Sequence, residues 1–343
     1  MTSVGLGFRA LAVACAIGFS LIRAASAEEP REIRFGYMKG GVPVVAKARH
    51  VLEDRLAPRG ITVKWIEFSV GPPMLEAMVA GRLDFGSTGN TPPIFAQSAG
   101  ANLVYVATGG RHASGSGILV LKNSPIRTVA ELKGKRVGIC KGSGAQNLII
   151  AALEQAGLSY DDIVPVYLSP SDTAAAFVSG QIDAWPTWDP FYTLAEKTAG
   201  ARVLLDAESV TPTYGFFLAN AATAKAHPEL VREVEGVLAE VADWANSHPK
   251  EVVDLIAATT GLPVEVERAI IARSHFAVQP VSEDAIAAQQ AVADRFLRLK
   301  LIPKSIQVRD AVWVPPGADT GPFVRQPALA NTAPQGDARN ESH

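Results

Sequence analysis

Polar and apolar residues alternate from Glu32 to Tyr37, the period-two signature of a half-buried strand. The period then lengthens, and residues 43–57 predict an amphipathic helix opened by Pro43, whose missing N–H costs nothing in a first turn. A strand at 61–68, a helix at 72–80, a short strand at 83–85, a helix at 92–99 and strands at 103–107 and 118–121 follow. The alternation resumes with a strand at 136–140, a helix at 145–156, a strand at 164–168 and a helix at 172–178. Strands and helices alternating this densely predict an α/β fold with largely parallel sheets. After one more strand at 215–219 the helical period takes over, covering 224–246, 249–258, 264–274 and 283–299. That helical third needs a sheet to pack against.

Two stretches recur. Gly36-Tyr37-Met38-Lys39-Gly40-Gly41 is echoed by Gly138-Ile139-Cys140-Lys141-Gly142-Ser143, an offset of 102 residues (141 − 39). Gly81-Arg82-Leu83-Asp84-Phe85 is echoed by Gly180-Gln181-Ile182-Asp183-Ala184, an offset of 99 (183 − 84). Two matches in the same order at nearly equal spacing predict one α/β unit used twice. Two such lobes side by side enclose a cleft, the usual seat of a small ligand.

The two ends follow other rules. Arg9 precedes an apolar stretch at 11–22, too short to span a bilayer comfortably, and Ala25-Ser26-Ala27 offers an A-x-A site before Glu28-Glu29. Residues 1–27 are therefore expected to be a cleaved secretory signal, and Cys15 lacks the setting of a lipid anchor. Export to the periplasm would leave Cys140 as the one remaining cysteine of the two, with no intrachain disulfide. From Pro315-Pro316-Gly317 onward periodicity is lost, and 315–343 reads as a disordered tail.

Of 32 basic and 34 acidic residues the leader holds only Arg9 and Arg23, so the exported chain carries a formal charge of −4. That balance argues against nucleic acid as a partner. It also means that an anion has to be held by local geometry against the overall field.

Two loops offer such geometry. Gly86-Ser87-Thr88-Gly89-Asn90 precedes a helix opening Thr91-Pro92-Pro93, and Gly142-Ser143-Gly144 precedes the helix from Ala145. Glycines expose backbone N–H groups, Ser and Thr suit caps, and a helix N-terminus carries partial positive charge. Trp185, Trp188, Asp189 and Tyr192 form another cluster, with Asp189 expected to cap a helix and the indoles to wall an apolar tail.

Enzyme signatures fail. No G-x-S-x-G surrounds any serine, and the six histidines show no H-E-x-x-H or other ligand spacing. Gly142-x-Gly144-x-x-Asn147 breaks the dinucleotide fingerprint at its last glycine. Cys140 ends an apolar strand as a small buried residue. No catalytic residue, metal or cofactor is expected.

Several runs resemble periplasmic aliphatic-sulfonate-binding proteins: Gly36-Tyr37-x-Lys39-Gly40, Gly86-Ser87-Thr88-Gly89, Pro92-Pro93-Ile94-Phe95-Ala96-Gln97 and Leu103-Val104-Tyr105-Val106. So do Asn123-Ser124-Pro125-Ile126, Lys141-Gly142-Ser143, Asp183-Ala184-Trp185 with Trp188-Asp189-Pro190, and Leu301-Ile302-Pro303-Lys304. The resemblance spans roughly residues 32–313 and points to the sulfonate, taurine and nitrate branch. It implies an α/β, two-lobed periplasmic solute-binding fold, the type II Venus flytrap, with two crossover segments. Lobe I would comprise 28–112 and 217–314, and lobe II 113–216. It further implies a monomer that hands its ligand to an ABC permease driven by an ATPase. Met38 stands where the family commonly has Gln, Asn90 where it often has Asp, and the segment 110–117 also departs, all near the presumed cleft or its hinge.

The resulting expectation is capture of an alkanesulfonate. Ser87, Thr88, Gly89, Gly142 and Ser143 would meet its oxygens, with Lys39, Asn90 and Lys141 also at the ligand. Its tail would lie on Trp185 or Trp188 near Asp189. Taurine, nitrate, a sulfate ester or a thiamine-precursor pyrimidine remain alternatives. An enzyme on the same fold, of the kind that acts in pyrimidine synthesis, is the alternative from another class.

Overall fold

The structure is a computed structural model that describes residues 29–112, 115–210 and 213–317. The expected leader, residues 113–114 of the first crossover and residues 318–343 of the expected tail lie outside the described residues.

In the first half, β1 (Glu32–Tyr37) leads into α1 (Val42–Ala48) and α2 (Val51–Leu56), then β2 (Thr62–Glu67), α3 (Gly71–Val79), β3 (Phe85–Thr88), α4 (Thr91–Ser98) and β4 (Leu103–His112). The second unit runs β5 (Ser116–Leu121), β6 (Arg136–Ile139), α5 (Gly144–Gln155), β7 (Val164–Tyr167), α6 (Pro170–Val178), β8 (Trp185–Trp188), α7 (Phe191–Thr198) and β9 (Ala201–Asp206). The chain returns through β10 (Thr213–Asn220). It finishes with α8 (Ala221–Ala226), α9 (Pro228–Ser247), α10 (Pro249–Thr260), α11 (Val264–Arg273) and α12 (Glu283–Arg298).

The first sheet has the order β2-β1-β3-β10-β4. In the second unit β8-β5-β9 and β6-β7 are joined where the Gly138 N–H donates to the Ala184 carbonyl at 3.0 Å. The combined order, β7-β6-β8-β5-β9, repeats that of the first sheet. In both, the strand arriving from the other unit, β10 or β5, runs antiparallel to its neighbours. The sheets are thus mixed and not largely parallel, because a strand that crosses over enters from the opposite end. Since β10 pairs with the first sheet from Thr213, the return to lobe I precedes residue 217.

The repeated aspartates explain the shared order. Asp84 accepts the Arg34 backbone N–H at 2.8 Å and the guanidinium through Nε and Nη2 at 2.9 and 3.0 Å. Asp183 does the same for Arg136, at 2.8, 3.1 and 2.9 Å. A bidentate charge-assisted pair fixes direction as well as distance. Each clamp therefore pins the first strand of the repeat, β1 or β6, to the segment entering its third, β3 or β8.

Three layers of core follow. One cluster packs α1, α2, α9 and α10 on the outer face of the first sheet, around Phe35, Phe85, Val234 and Leu238. A second runs through both units by way of α3, α4, α5 and α12. A third, around Phe177, Trp185 and Tyr192, lies under α6 and α7. On this shared side Arg295 bonds Glu154 at 2.8 Å and Asn147 at 2.9 Å, and Arg298 bonds Glu154 at 2.9 Å, tying α12 to α5. No helix among the described residues is long and apolar enough to cross a membrane.

Some boundaries differ from the sequence pattern. The helix expected at 43–57 divides at His50, which adopts a left-handed φ of 55°. The helix expected at 224–246 starts afresh at Pro228, since proline disfavours a helical conformation at His227 before it. Ser87 and Thr88 belong to β3 and not to the following loop.

Glu235 on α9 faces the first sheet, and its Oε1 is buried without a partner among the described residues. A small void beside it is lined by Phe35, Phe85, Val106 and Phe217. Burial pushes its carboxyl up to about 8. A raised carboxyl pKa means that ionisation opposes folding, a penalty absent below the unfolded value near 4.5 and growing up to about pH 8. Glu235→Gln should therefore gain on the order of 2–4 kcal/mol over the parent between pH 5 and pH 8. Urea melts at both pH values check this; equal increments at the two would mean that the carboxylate is solvated.

Candidate ligand-binding site

The rims that the clamps align face each other across a cavity of about 240 Å³. Its lining includes Gly71 at the start of α3, Asn90 and Pro92 at the start of α4, and Ser143, Gly144 and Ala145 at the start of α5. Three helix N-termini thus converge on it; Pro72-Pro73 and Pro92-Pro93 leave Gly71 and Thr91 as the N–H donors in the first turns of α3 and α4, while α5 opens with the proline-free Gly144-Ala145-Gln146. None of the described residues lining it is charged.

Three of its polar side chains are orphans. Thr88 and Asn90 are 4% exposed and Thr187 1%, yet Thr88 Oγ1, Asn90 Nδ2 and Thr187 Oγ1 have no partner among the described residues. A buried, unpaired donor costs roughly 1–3 kcal/mol, so three around one cavity mark where a ligand supplies the acceptors. Asn90 is held for this task. Its Oδ1 accepts the Thr91 hydroxyl at 3.0 Å, its carbonyl accepts Gln289 Nε2 at 2.6 Å, and Gln289 also donates to the buried Tyr105 hydroxyl at 3.2 Å. That leaves the Nδ2 amide facing inward. Burial raises the Tyr105 phenol pKa, so this support stays neutral.

Close approach needs Gly71. A Cβ there would lie 2.2 Å from Thr88 Oγ1 and 2.6 Å from Pro92 Cγ, so no larger residue lets α3 and α4 converge.

A wider compartment of about 640 Å³ adjoins the first, sharing Met38, Thr88, Gly89, Ser116, Trp188 and Gly215. Trp188, half-buried and edge-on to Phe191 with centroids 6.0 Å apart, stands between the two. At the mouth Arg273 of α11 reaches across to the second lobe. Its Nε and Nη2 meet Asp189 at 3.0 and 3.2 Å, Nη2 also bonds the Thr193 hydroxyl, and the guanidinium lies 5.0 Å above the Tyr192 ring.

The residues expected from sequence divide accordingly. Thr88, Gly89, Asn90, Ser143 and Trp188 line the inner cavity, while Lys39, Ser87 and Asp189 line only the outer one. Lys39 is exposed and donates to the Thr260 carbonyl at 3.2 Å. Lys141 lines neither compartment; its ammonium sits 5.7 Å from the Tyr167 ring. Gly142 lines neither, and its N–H is taken by Gln146 Oε1 at 2.8 Å. Trp185 is a core residue and not a cleft wall, 4% exposed and tilted against Phe177. Ser143 does not cap α5 with its side chain; the hydroxyl donates to the Cys140 carbonyl at 2.7 Å. Asp189 sits one residue ahead of the cap position of α7, yet its Oδ1 accepts the Thr193 N–H at 3.0 Å and serves a cap's purpose. Burial raises the Cys140 pKa, which keeps it a thiol.

Sequence reasoning missed Gly71, Thr187 and Arg273. Thr187 was within reach. It lies 99 residues after Thr88 (187 − 88), the offset that relates Asp84 to Asp183, so extending the repeat by three residues finds it. Gly71 had a fainter signal, the Gly-Pro-Pro opening that parallels Thr91-Pro92-Pro93. Arg273 had none.

Comparison with known proteins adds the following. Residues 57–252 match the family model described as NMT1/THI5 like. An aliphatic sulfonates-binding protein of Escherichia coli (strain K12) is 40% identical over 306 residues, 89% of this chain and 96% of that protein. One of Bacillus subtilis (strain 168) is 35% identical over 82% of this chain and 86% of that protein. The solved structure of the alkanesulfonate-binding protein SsuA from Xanthomonas axonopodis pv. citri, bound to MOPS, superposes with a TM-score of 0.79 at 41% identity, covering 84% and 99% of the two chains.

The orphaned hydroxyls make a prediction that needs no ligand. Thr187→Val keeps the shape and removes an unpaired buried hydroxyl, so the unliganded protein should gain about 1 kcal/mol. Thermal melting measures it. A lower melting temperature would mean that the hydroxyl already has a partner.

Proposed function

The chain belongs to the NMT1/THI5-like family and within it to the aliphatic sulfonate-binding proteins; from that premise we propose that its inner cavity captures the sulfonate headgroup, as the periplasmic substrate-binding component of an ABC importer. The convergence of three helix N-termini and three orphaned polar groups on a cavity with no charged lining among the described residues carries the reading. A tetrahedral headgroup offers three oxygens, enough to give Thr88, Thr187 and the Asn90 amide one acceptor each. The helix N-termini supply the compensating positive potential, worth about 0.3–1 kcal/mol per terminus and more when partly buried. An anion held by dipoles needs no buried cation, which suits a protein whose ligand has to leave again.

Both lobes contribute, Thr88 and Asn90 from the first and Ser143, Gly144 and Thr187 from the second. The donors are satisfied together only when the lobes converge, so the ligand favours the closed form by its differential affinity. Trp188 walls the path by which a tail leaves the inner cavity. The reading is one of capture alone, in keeping with relatives named as binding proteins.

Calorimetry with methanesulfonate and longer alkanesulfonates, with sulfate and nitrate as controls, tests the assignment. In the same assay Ser143→Asp places a carboxylate at the cavity wall. At about 4 Å and an effective dielectric of about 20 the repulsion is on the order of 4 kcal/mol, roughly a thousandfold in affinity. Ser143→Ala should stay within about tenfold of the parent, because the hydroxyl already serves Cys140. Tight binding by a folded Asp variant would move the headgroup elsewhere.

Export is proposed on the A-x-A site, with Glu28 as the mature N-terminus. Intact mass of the periplasmic protein is expected to match a chain without residues 1–27, and a retained leader or a lipid on Cys15 would refute it.

A further inference from the structure

The outer compartment carries an electrostatic imbalance that the headgroup site does not use. Its walls are apolar, with Phe191 and Leu194 from the second lobe and Ile256, Leu262, Ile270 and Phe276 from the first. Lys39, Glu67, Asp189, Glu267 and the exposed His275 also line it. Two of the three carboxylates are answered. Glu67 has Lys39 at 3.9 Å, and Asp189 has the Arg273 guanidinium in two hydrogen bonds.

Glu267 has no such counterpart. It is 3% exposed, it lines the outer compartment, its Oε1 accepts the Thr260 hydroxyl at 2.8 Å, and no ion pair to it is found among the described residues. Burying a carboxylate beside apolar walls is costly without a cation. Desolvation accordingly raises its pKa. The inner cavity, by contrast, is lined by no carboxylate among the described residues.

We propose that the outer compartment is a subsite for a cationic group at the far end of the ligand's tail, with Glu267 as the residue that recognises it. The preferred ligand is then a zwitterion, a sulfonate in the inner cavity joined by an apolar spacer past Trp188 to an ammonium facing the Glu267 carboxylate. A short zwitterion with two carbons between its charges is disfavoured, because its ammonium would stay in the inner cavity, where no carboxylate lines the wall. The inference rests on the sulfonate reading and adds the class of tail.

The test is calorimetry of the full protein with ω-aminoalkanesulfonates of about two to ten carbons, each against its unsubstituted counterpart. The amine should weaken binding in the shortest member and strengthen it about tenfold or more in long ones, the gain of a charge-assisted contact. Glu267→Gln should erase that gain while leaving the unsubstituted series within about threefold of the parent. Glu267→Asp keeps the charge but retracts it by a methylene and should move the optimum to a longer chain, with melting as the folding control. An amine that helps at no length, or a gain that survives in Glu267→Gln, overturns the subsite while the sulfonate reading stands. A parent protein that binds no sulfonate of either series overturns both.

Discussion

In each lobe a guanidinium grips a carboxylate, Arg34 on Asp84 and Arg136 on Asp183, and in each the arginine backbone N–H joins the grip. The clamp holds the first strand against the segment that enters the third, so whatever follows either strand emerges at one rim. From that rim come Met38 and Thr88 in the first lobe, and Ser143 and Thr187 in the second. Without the clamps β1 and β3 could still pair, but nothing local would set where their ends emerge. Because the same grip occurs twice, the two rims match. Thr88 and Thr187, equivalent in the repeat, both end as unpaired hydroxyls on one cavity.

An uncharged cavity in a protein of net negative charge constrains how an anion can be held. Backbone dipoles and neutral donors have to do it, and those are effective only in a dry, enclosed site where the dielectric is low. The enclosure comes at a cost in stability, since each orphan group loses water without gaining a partner. The same cost recurs at Glu235 under the first sheet, where no cavity of useful size accompanies it and no ligand is implied.

The two lobes are joined very differently at their two ends. On the shared side α12 is bonded to α5 through Arg295 and Arg298, and a continuous apolar cluster passes between the units. At the mouth the contact is one polar cluster around Arg273 and Asp189. Continuous apolar packing joins the lobes on one side, and a half-buried ion pair joins them at the other.

The sequence by itself determined the α/β alternation, the two-fold use of one unit, the helical C-terminal third and the two glycine loops. Each of those is written in local periodicity or in a repeated run of letters. It also pointed to Thr88, Asn90, Ser143 and Trp188, which line the inner cavity, because helix N-termini and their preceding loops have a compositional signature. Only the tertiary structure decided which residues line the cavity. Trp185 and Trp188 are separated by one strand's pleat, yet one packs on Phe177 and the other on the cleft. Lys141 and Lys39 match in sequence but lie in different surroundings, one beside Tyr167 and one over the Thr260 carbonyl. Arg273 left no trace in the pattern, because its partner Asp189 lies 84 residues away in the chain and across the cleft. A side chain's role there depends on which charges the fold brings opposite it, and local sequence holds no record of that.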